Sequence, residues 1–133
     1  MEEKTIFKKI IDDEIPATKV YEDDIFLAFL DIAPVSLGHT LLIPKAEYVW
    51  IQDTPDELLG QLFIQAKKLI KAMKEGIGCD YVQISVVGKD VPHVHIHLIP
   101  RYFNDELHGW RTGKYKDGEM NIFAEKIKTG LSF

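Results

Sequence analysis

The sequence predicts an α+β domain: an antiparallel sheet of five strands, with one long helix and one or two short ones. Three observations carry that prediction. Residues 93–99 read His-Val-His-Ile-His-Leu-Ile. Side chains alternate faces along a strand, so this spacing sends three imidazoles to one side and Val94, Ile96 and Leu98 to the other. From Thr54 onward apolar residues recur at helical spacing instead. Charged or glycine-containing turns separate the strand-forming runs, as antiparallel neighbours require.

Taken in order, residues 5–15 place Phe7, Ile10 and Ile11 at helical spacing and Pro16 ends that helix. Val20-Tyr21 and residues 25–30 are strands of a hairpin turned by Glu22-Asp23-Asp24. Residues 31–38 have turn chemistry, and residues 39–43 form a third strand stopped by Pro44. The long helix opens at Thr54, where Thr54-Pro55-Asp56-Glu57 reads as a cap, a first-turn proline and a capping box. Leu58, Leu62, Ala66, Leu69, Ile70 and Met73 make its inner stripe, Lys67, Lys68 and Lys71 a solvated face, and Gly76 its stop. Residues 81–87 are the fourth strand, Gly88-Lys89-Asp90 a tight turn, and the histidine run the fifth. Residues 121–128 are a last short helix with Ile122, Phe123 and Ile127 inward.

The 133 residues suffice for one domain with its own core, residues 1–133, of which 102–133 form a C-terminal extension. A net charge of -5 argues against the basic stripe that a long nucleic-acid backbone requires, while leaving room for a small phosphorylated ligand. Cys79 is the only cysteine, so neither an internal disulfide nor a cysteine-rich zinc site is available. The first residues lack the basic and apolar regions of a secretory signal, and no apolar run approaches a membrane span. The expectation is a cytoplasmic protein with no membrane and no nucleic-acid partner.

Three of the five histidines fall in one five-residue window. Imidazole near neutral pH serves as nucleophile, proton carrier or metal ligand. A row of solvent-facing histidines is the plainest reading. A zinc site on His93, His95 and His97 is another, although neither Asp90 nor Asp105 has a spacing that nominates it as a supporting carboxylate. The reading that employs all three rings is nucleophilic attack at phosphorus. An imidazole whose Nδ1–H is held by a backbone carbonyl presents a free Nε2, and its neighbours two residues away orient phosphate oxygens or carry the proton. The middle ring, His95, is then the nucleophile.

The run from His93 to Ile99 resembles the signature of the histidine-triad nucleotide hydrolases and transferases: three histidines each followed by an apolar residue, then one more apolar residue. A second block, Phe29-Leu30-Asp31-Ile32, Pro34 and Gly38-His39-Thr40-Leu41-Leu42-Ile43-Pro44-Lys45, is similar to the family's other landmark, and residues 7–24 resemble its amino terminus. The similarity spans about residues 5 to 101. It implies a meandering five-stranded sheet of the HIT-like fold and a homodimer. It also implies attack by His95 on the α-phosphate of a purine nucleotide, with His97 and His93 in support and His39 as the fourth histidine. Asp31 would hold ribose hydroxyls, and Phe7, Ile10, Ile15, Phe29 and Ile32 an apolar slot for the base. Core packing and a turn-capping carboxylate are the corresponding structural readings.

The amino-terminal block resembles the Hint-like branch, which implies phosphoramidate cleavage with no cofactor and no metal. His97 stands where sugar-nucleotide transferases of the family carry glutamine, which favours water as acceptor. Lys89 and Asp90 depart from the serine- or glutamine-containing phosphate loop of relatives, and Lys89 either contacts phosphate or is a solvated turn residue. Ser85 stands about where an asparagine lies near ribose and phosphate. His108 lies outside both motifs and reads as a surface residue, and Trp50, Trp110 and Tyr115 either shape the substrate entrance or sit on an exposed tail. Alternative activities are dinucleoside polyphosphate hydrolysis, purine-nucleotide binding with little turnover, and a His-ligated zinc hydrolase.

Overall fold

A computed structural model describes residues 3–107 and 109–131. His108 lies outside the described residues, and the surface position expected for it with it. Helix α1 (Ile6–Ile11) leads into strands β1 (Lys19–Glu22), β2 (Phe26–Leu30) and β3 (Thr40–Pro44). Helix α2 (Asp56–Ile77) follows, then β4 (Tyr81–Ser85), β5 (Ile96–Arg101) and helix α3 (Glu119–Leu131). The strands pair antiparallel in the order β1-β2-β3-β5-β4, so the first three form a meander and β5 lies between β3 and β4.

β2 is buried from end to end, and its two faces feed two cores. Phe26, Ala28 and Leu30 join Leu42, Ile96 and Leu98 against Leu62, Leu69 and Met73 of α2 and Ala124 and Ile127 of α3. Leu27 and Phe29 face the other way, with Leu41 and Ile43, against Phe7 and Ile10 of α1. Two long helices therefore cover one sheet face, while a helix of under two turns covers part of the other. The uncovered remainder is where chemistry can reach the sheet.

Several local expectations give way to tertiary contacts. α1 runs only from Ile6 to Ile11 rather than over 5–15: Thr5 caps it through the Lys8 N–H, and Asp13 leaves the helical region at φ 58°. The capping box at Thr54 does not form, because the Thr54 hydroxyl donates to the Trp50 carbonyl (3.1 Å) and α2 begins at Asp56 without a side-chain cap. Gly76 does not stop α2. The helix continues to Ile77 and ends at left-handed Gly78 (φ 82°), while Gly76 makes room for α3: a Cβ there would lie 1.8 Å from the Lys126 carbonyl oxygen. Pro44 closes β3 as its last residue, paired with Phe26. α3 begins and ends beyond the expected 121–128, and Ile122 is 56% exposed rather than inward, because the crossing with α2 is made by Ala124, Ile127 and Gly130. Lys67, Lys68 and Lys71 are exposed as expected.

The largest difference lies at the histidines. β4 ends at Ser85 and β5 starts at Ile96, so residues 86–95 form a loop and not a tight hairpin turn. Only His97 sits in a strand, opposite Leu41 on one side and Ser85 on the other. His93 and His95 lie in the approach to β5, and the whole stretch 93–100 is buried on both faces instead of alternating. Among the described residues no helix is long and apolar enough to cross a membrane.

Candidate active site

Leu41 points to the thinly covered face, and its pairing with His97 puts that imidazole on the same face. His39, just ahead of β3, is fully buried behind it, with His39 Nε2 and His97 Nδ1 3.0 Å apart. The direction of this bond follows from one further contact. The Val35 N–H donates to His39 Nδ1 (3.1 Å), so that nitrogen carries no proton and a neutral His39 holds its proton on Nε2. His39 therefore donates to His97 Nδ1, and a neutral His97 must hold its own proton on Nε2. Burial pushes both rings down to about 4, which keeps them neutral at physiological pH.

His95 has the opposite arrangement. Its Nδ1 lies 2.7 Å from the His93 carbonyl oxygen, which only accepts, so the proton is on Nδ1 and Nε2 presents a bare lone pair. Burial again holds this ring below the ordinary imidazole range. Ring centroids of His95 and His97 lie 4.9 Å apart. The site thus sets an acceptor nitrogen beside a donor N–H, the pairing that nucleophilic attack with leaving-group protonation requires.

His93 works at one remove. Its ring is 1% exposed and its Nε2–H donates to the Pro44 carbonyl (2.7 Å), tying the approach loop to the end of β3. Among the described residues, Nδ1 of the same ring has no hydrogen-bond partner. His93 and Ser85 are not among the residues lining either recess described next, and the Ser85 hydroxyl accepts from the Gln83 amide (3.1 Å).

Two adjoining recesses open here. One, of about 420 Å³, is lined by His95, His97, Asp31, Lys89, Asp90 and Trp110, among others. The second, of about 190 Å³, brings together Phe7, Ile10, Ile15, Phe29 and Ile32 around an apolar slot. Ile6, Phe7, Leu41 and Asp31 belong to both. Phe7 meets the His95 ring edge to face at 4.9 Å. Ile32 is 81% exposed and forms a rim. Asp31 caps the turn as its structural reading anticipates, one oxygen accepting from the Ala33 N–H (2.9 Å), while the other lies 3.8 Å from His39 Nε2.

Spacing nominates the three triad rings as metal ligands, but they do not supply a converging set. Among the described residues, the group whose ligand atoms lie within 4.8 Å of one another is Asp31, His39 and His97. A cation on His39 Nε2 would move that ring's proton to Nδ1, against the Val35 N–H, so the local hydrogen bonding fits a proton there better than a metal. Trp110 is the residue whose placement spacing left open. Its indole lies 4.8 Å from His97 and 5.7 Å from His39, centroid to centroid, in the same chain. The backbone donors and acceptors at Val35, His93 and Pro44 leave no sequence signal at all, because any residue type supplies them.

Comparison with known proteins bears on the family and the fold. Residues 12–104 match the family profile described as the HIT domain. An uncharacterised HIT-like protein of Methanocaldococcus jannaschii is 46% identical over 92% of this chain and 98% of its own length. The adenosine 5'-monophosphoramidase of Saccharomyces cerevisiae is 42% identical over 81% of this chain and 68% of its own. A crystal structure of a Hit-like protein from Bartonella henselae superposes with a TM-score of 0.88 at 32% identity, covering 98% of each chain.

Proposed function

Because this chain belongs to the HIT family, we propose that it is a metal-independent hydrolase of nucleoside phosphoramidates, acting at the α-phosphate of a purine nucleotide through a nucleotidyl-His95 intermediate. The observation that carries the reading is the complementary protonation of His95 and His97, fixed by the His93 carbonyl for His95 and, through His39, by the Val35 N–H for His97. The name of the yeast relative, a phosphoramidase, points the same way.

In the first step His95 Nε2 attacks phosphorus and the bond to the leaving nitrogen breaks. That nitrogen becomes strongly basic as it departs and takes the proton from His97 Nε2. Solvent returns a proton to His97 Nε2, so that ring is not left as an imidazolate and the His95 ring alone carries the new positive charge. The His93 carbonyl, accepting from His95 Nδ1–H, stabilises the cationic ring. In the second step water attacks phosphorus and gives up a proton to solvent, and the P–N bond to His95 breaks with its electron pair returning to Nε2. The products are the amine and the nucleoside monophosphate.

The base occupies the Phe7, Ile10, Ile15, Phe29 and Ile32 slot, Asp31 takes the ribose hydroxyls, and Lys89 a non-bridging phosphate oxygen. We further propose a homodimer through β4. This is an edge strand, and Tyr81, Ile84, Val86 and Val87 on and just beyond it are 39–54% exposed.

The test is rapid-quench analysis of an adenosine phosphoramidate reaction, with and without chelator. Chelator-resistant turnover with adenylate on His95, reduced by roughly three orders of magnitude or more in His95→Ala, is expected. Activity lost to chelator and restored by zinc would replace this reading with a metal hydrolase. Tight nucleotide binding without turnover would replace it with a binding module.

A further inference from the structure

In-line displacement puts the leaving group on the side of phosphorus opposite His95, next to the proton on His97 Nε2. The cavity that holds both rings is also lined by residues outside the triad. Asp90, in the loop between β4 and β5, lines the cavity, and its negative charge is felt at both His95 and His97. Among the described residues its carboxylate takes part in no ion pair and no side-chain hydrogen bond. The half-exposed indole of Trp110 lines the same cavity and stands against His97. The Trp110 segment is strapped down by two bonds: the Gly113 N–H donates to the Pro34 carbonyl (2.7 Å), and the Gly38 N–H to the Tyr115 hydroxyl (2.8 Å).

An unpaired carboxylate beside a reacting phosphate opposes an anionic substrate unless something positive sits between them. An indole attracts cations over its face. We propose that Asp90 and Trp110 form a subsite for a cationic leaving group, an amine-linked substituent that carries a second, protonated nitrogen a few bonds beyond the scissile P–N bond. This rests on the phosphoramidase reading and narrows it. Lys89 remains for the phosphate oxygens, and a polyphosphate leaving group, which would bring more negative charge against Asp90, is selected against.

Three adenosine phosphoramidates with leaving amines of equal length, ending in an ammonium, a neutral amide or a carboxylate, test the subsite. The ammonium compound is expected to exceed the neutral one by about tenfold in kcat/KM, and the carboxylate compound to fall below it by a similar factor. Added salt should shrink both ratios. Asp90→Asn should bring the ammonium-to-neutral ratio close to one, and Trp110→Leu should lower it. The same ratios, measured as Kd with the His95→Asn protein, read the subsite without chemistry. An ammonium preference in binding with no turnover by the wild-type protein supports the subsite while overturning the phosphoramidase reading. A wild-type ratio near one in both measurements, or a preference that survives Asp90→Asn, overturns the subsite.

Discussion

His95 and His97 differ only in what their Nδ1 atoms meet: a carbonyl two residues back for one, a histidine 58 residues away for the other. That difference assigns their roles and makes them separately testable. His97→Asn should reduce cleavage of alkylamine phosphoramidates by roughly 10²- to 10⁴-fold, the span of general-acid catalysis. The loss should be far smaller for a nitrophenol leaving group, which departs without a proton, so kinetics against leaving-group basicity distinguish an acid from a structural residue. The same burial predicts the pH response. Both rings act in their neutral forms, and His97 protonates only near 4, so kcat/KM should stay level well below the ordinary imidazole pKa of about 6.5 before falling. Stability behaves differently. Between 6.5 and about 4 the unfolded chain binds protons at His39 and His97 that the folded chain refuses, so stability falls as pH drops through this window. The loss approaches roughly 3 kcal/mol for each ring, visible as a lower urea midpoint at pH 4.5 than at pH 7.

At the scale of elements, the crossing of α2 and α3 depends on two glycines inside helices. A Cβ on Gly76 would lie 1.8 Å from the Lys126 carbonyl oxygen, and one on Gly130 2.1 Å from that of Ala72. Helix propensity alone favours alanine over glycine by about 1 kcal/mol. Backbone atoms at these separations cannot be accommodated without parting the helices, so the clash decides the sign. Gly76→Ala and Gly130→Ala should each destabilise by about 2–4 kcal/mol in urea unfolding, against the propensity scale. The approach to β5 follows the same logic. A continuous strand would satisfy the alternating pattern, yet the chain enters β5 only at Ile96, because His93 anchors on the Pro44 carbonyl and His95 on the His93 carbonyl.

For the whole molecule, the sheet has two long helices on one face and the site on the other, which leaves its β4 edge available for association. The proposed dimer extends the sheet through that edge. Ile84→Lys, at a side chain 43% exposed in the isolated chain, should shift sedimentation equilibrium toward monomer without loss of helical circular dichroism. The HIT profile match ends at residue 104, yet Ala124 and Ile127 of α3 belong to the main core, Trp110 lines the cavity, and the Tyr115 hydroxyl accepts from the Gly38 N–H beside His39. The segment beyond the matched profile therefore contributes both to the core and to the lining of the cavity.

Much of this was legible in the residues themselves. Periodicity placed α2, β2 and β3 within a few residues, since an apolar stripe has one way to be buried. The triad stood out because three imidazoles at that spacing have few structural uses, whereas His39 and Asp31 were picked out by the resemblance to a family. The apolar slot followed from resemblance to a family, not from spacing. Local pattern failed where a distant backbone atom competes with it: the Trp50 carbonyl for the Thr54 hydroxyl, α3 for the space at Gly76, Pro44 for the His93 ring. What the sequence by itself determined is which chemical groups the site contains. Which nitrogen holds each proton, and which residues line the cavity beside the rings, were decided only by the tertiary structure. Those outcomes depend on main-chain donors and acceptors that every residue carries, and only folding determines which of them meet the rings.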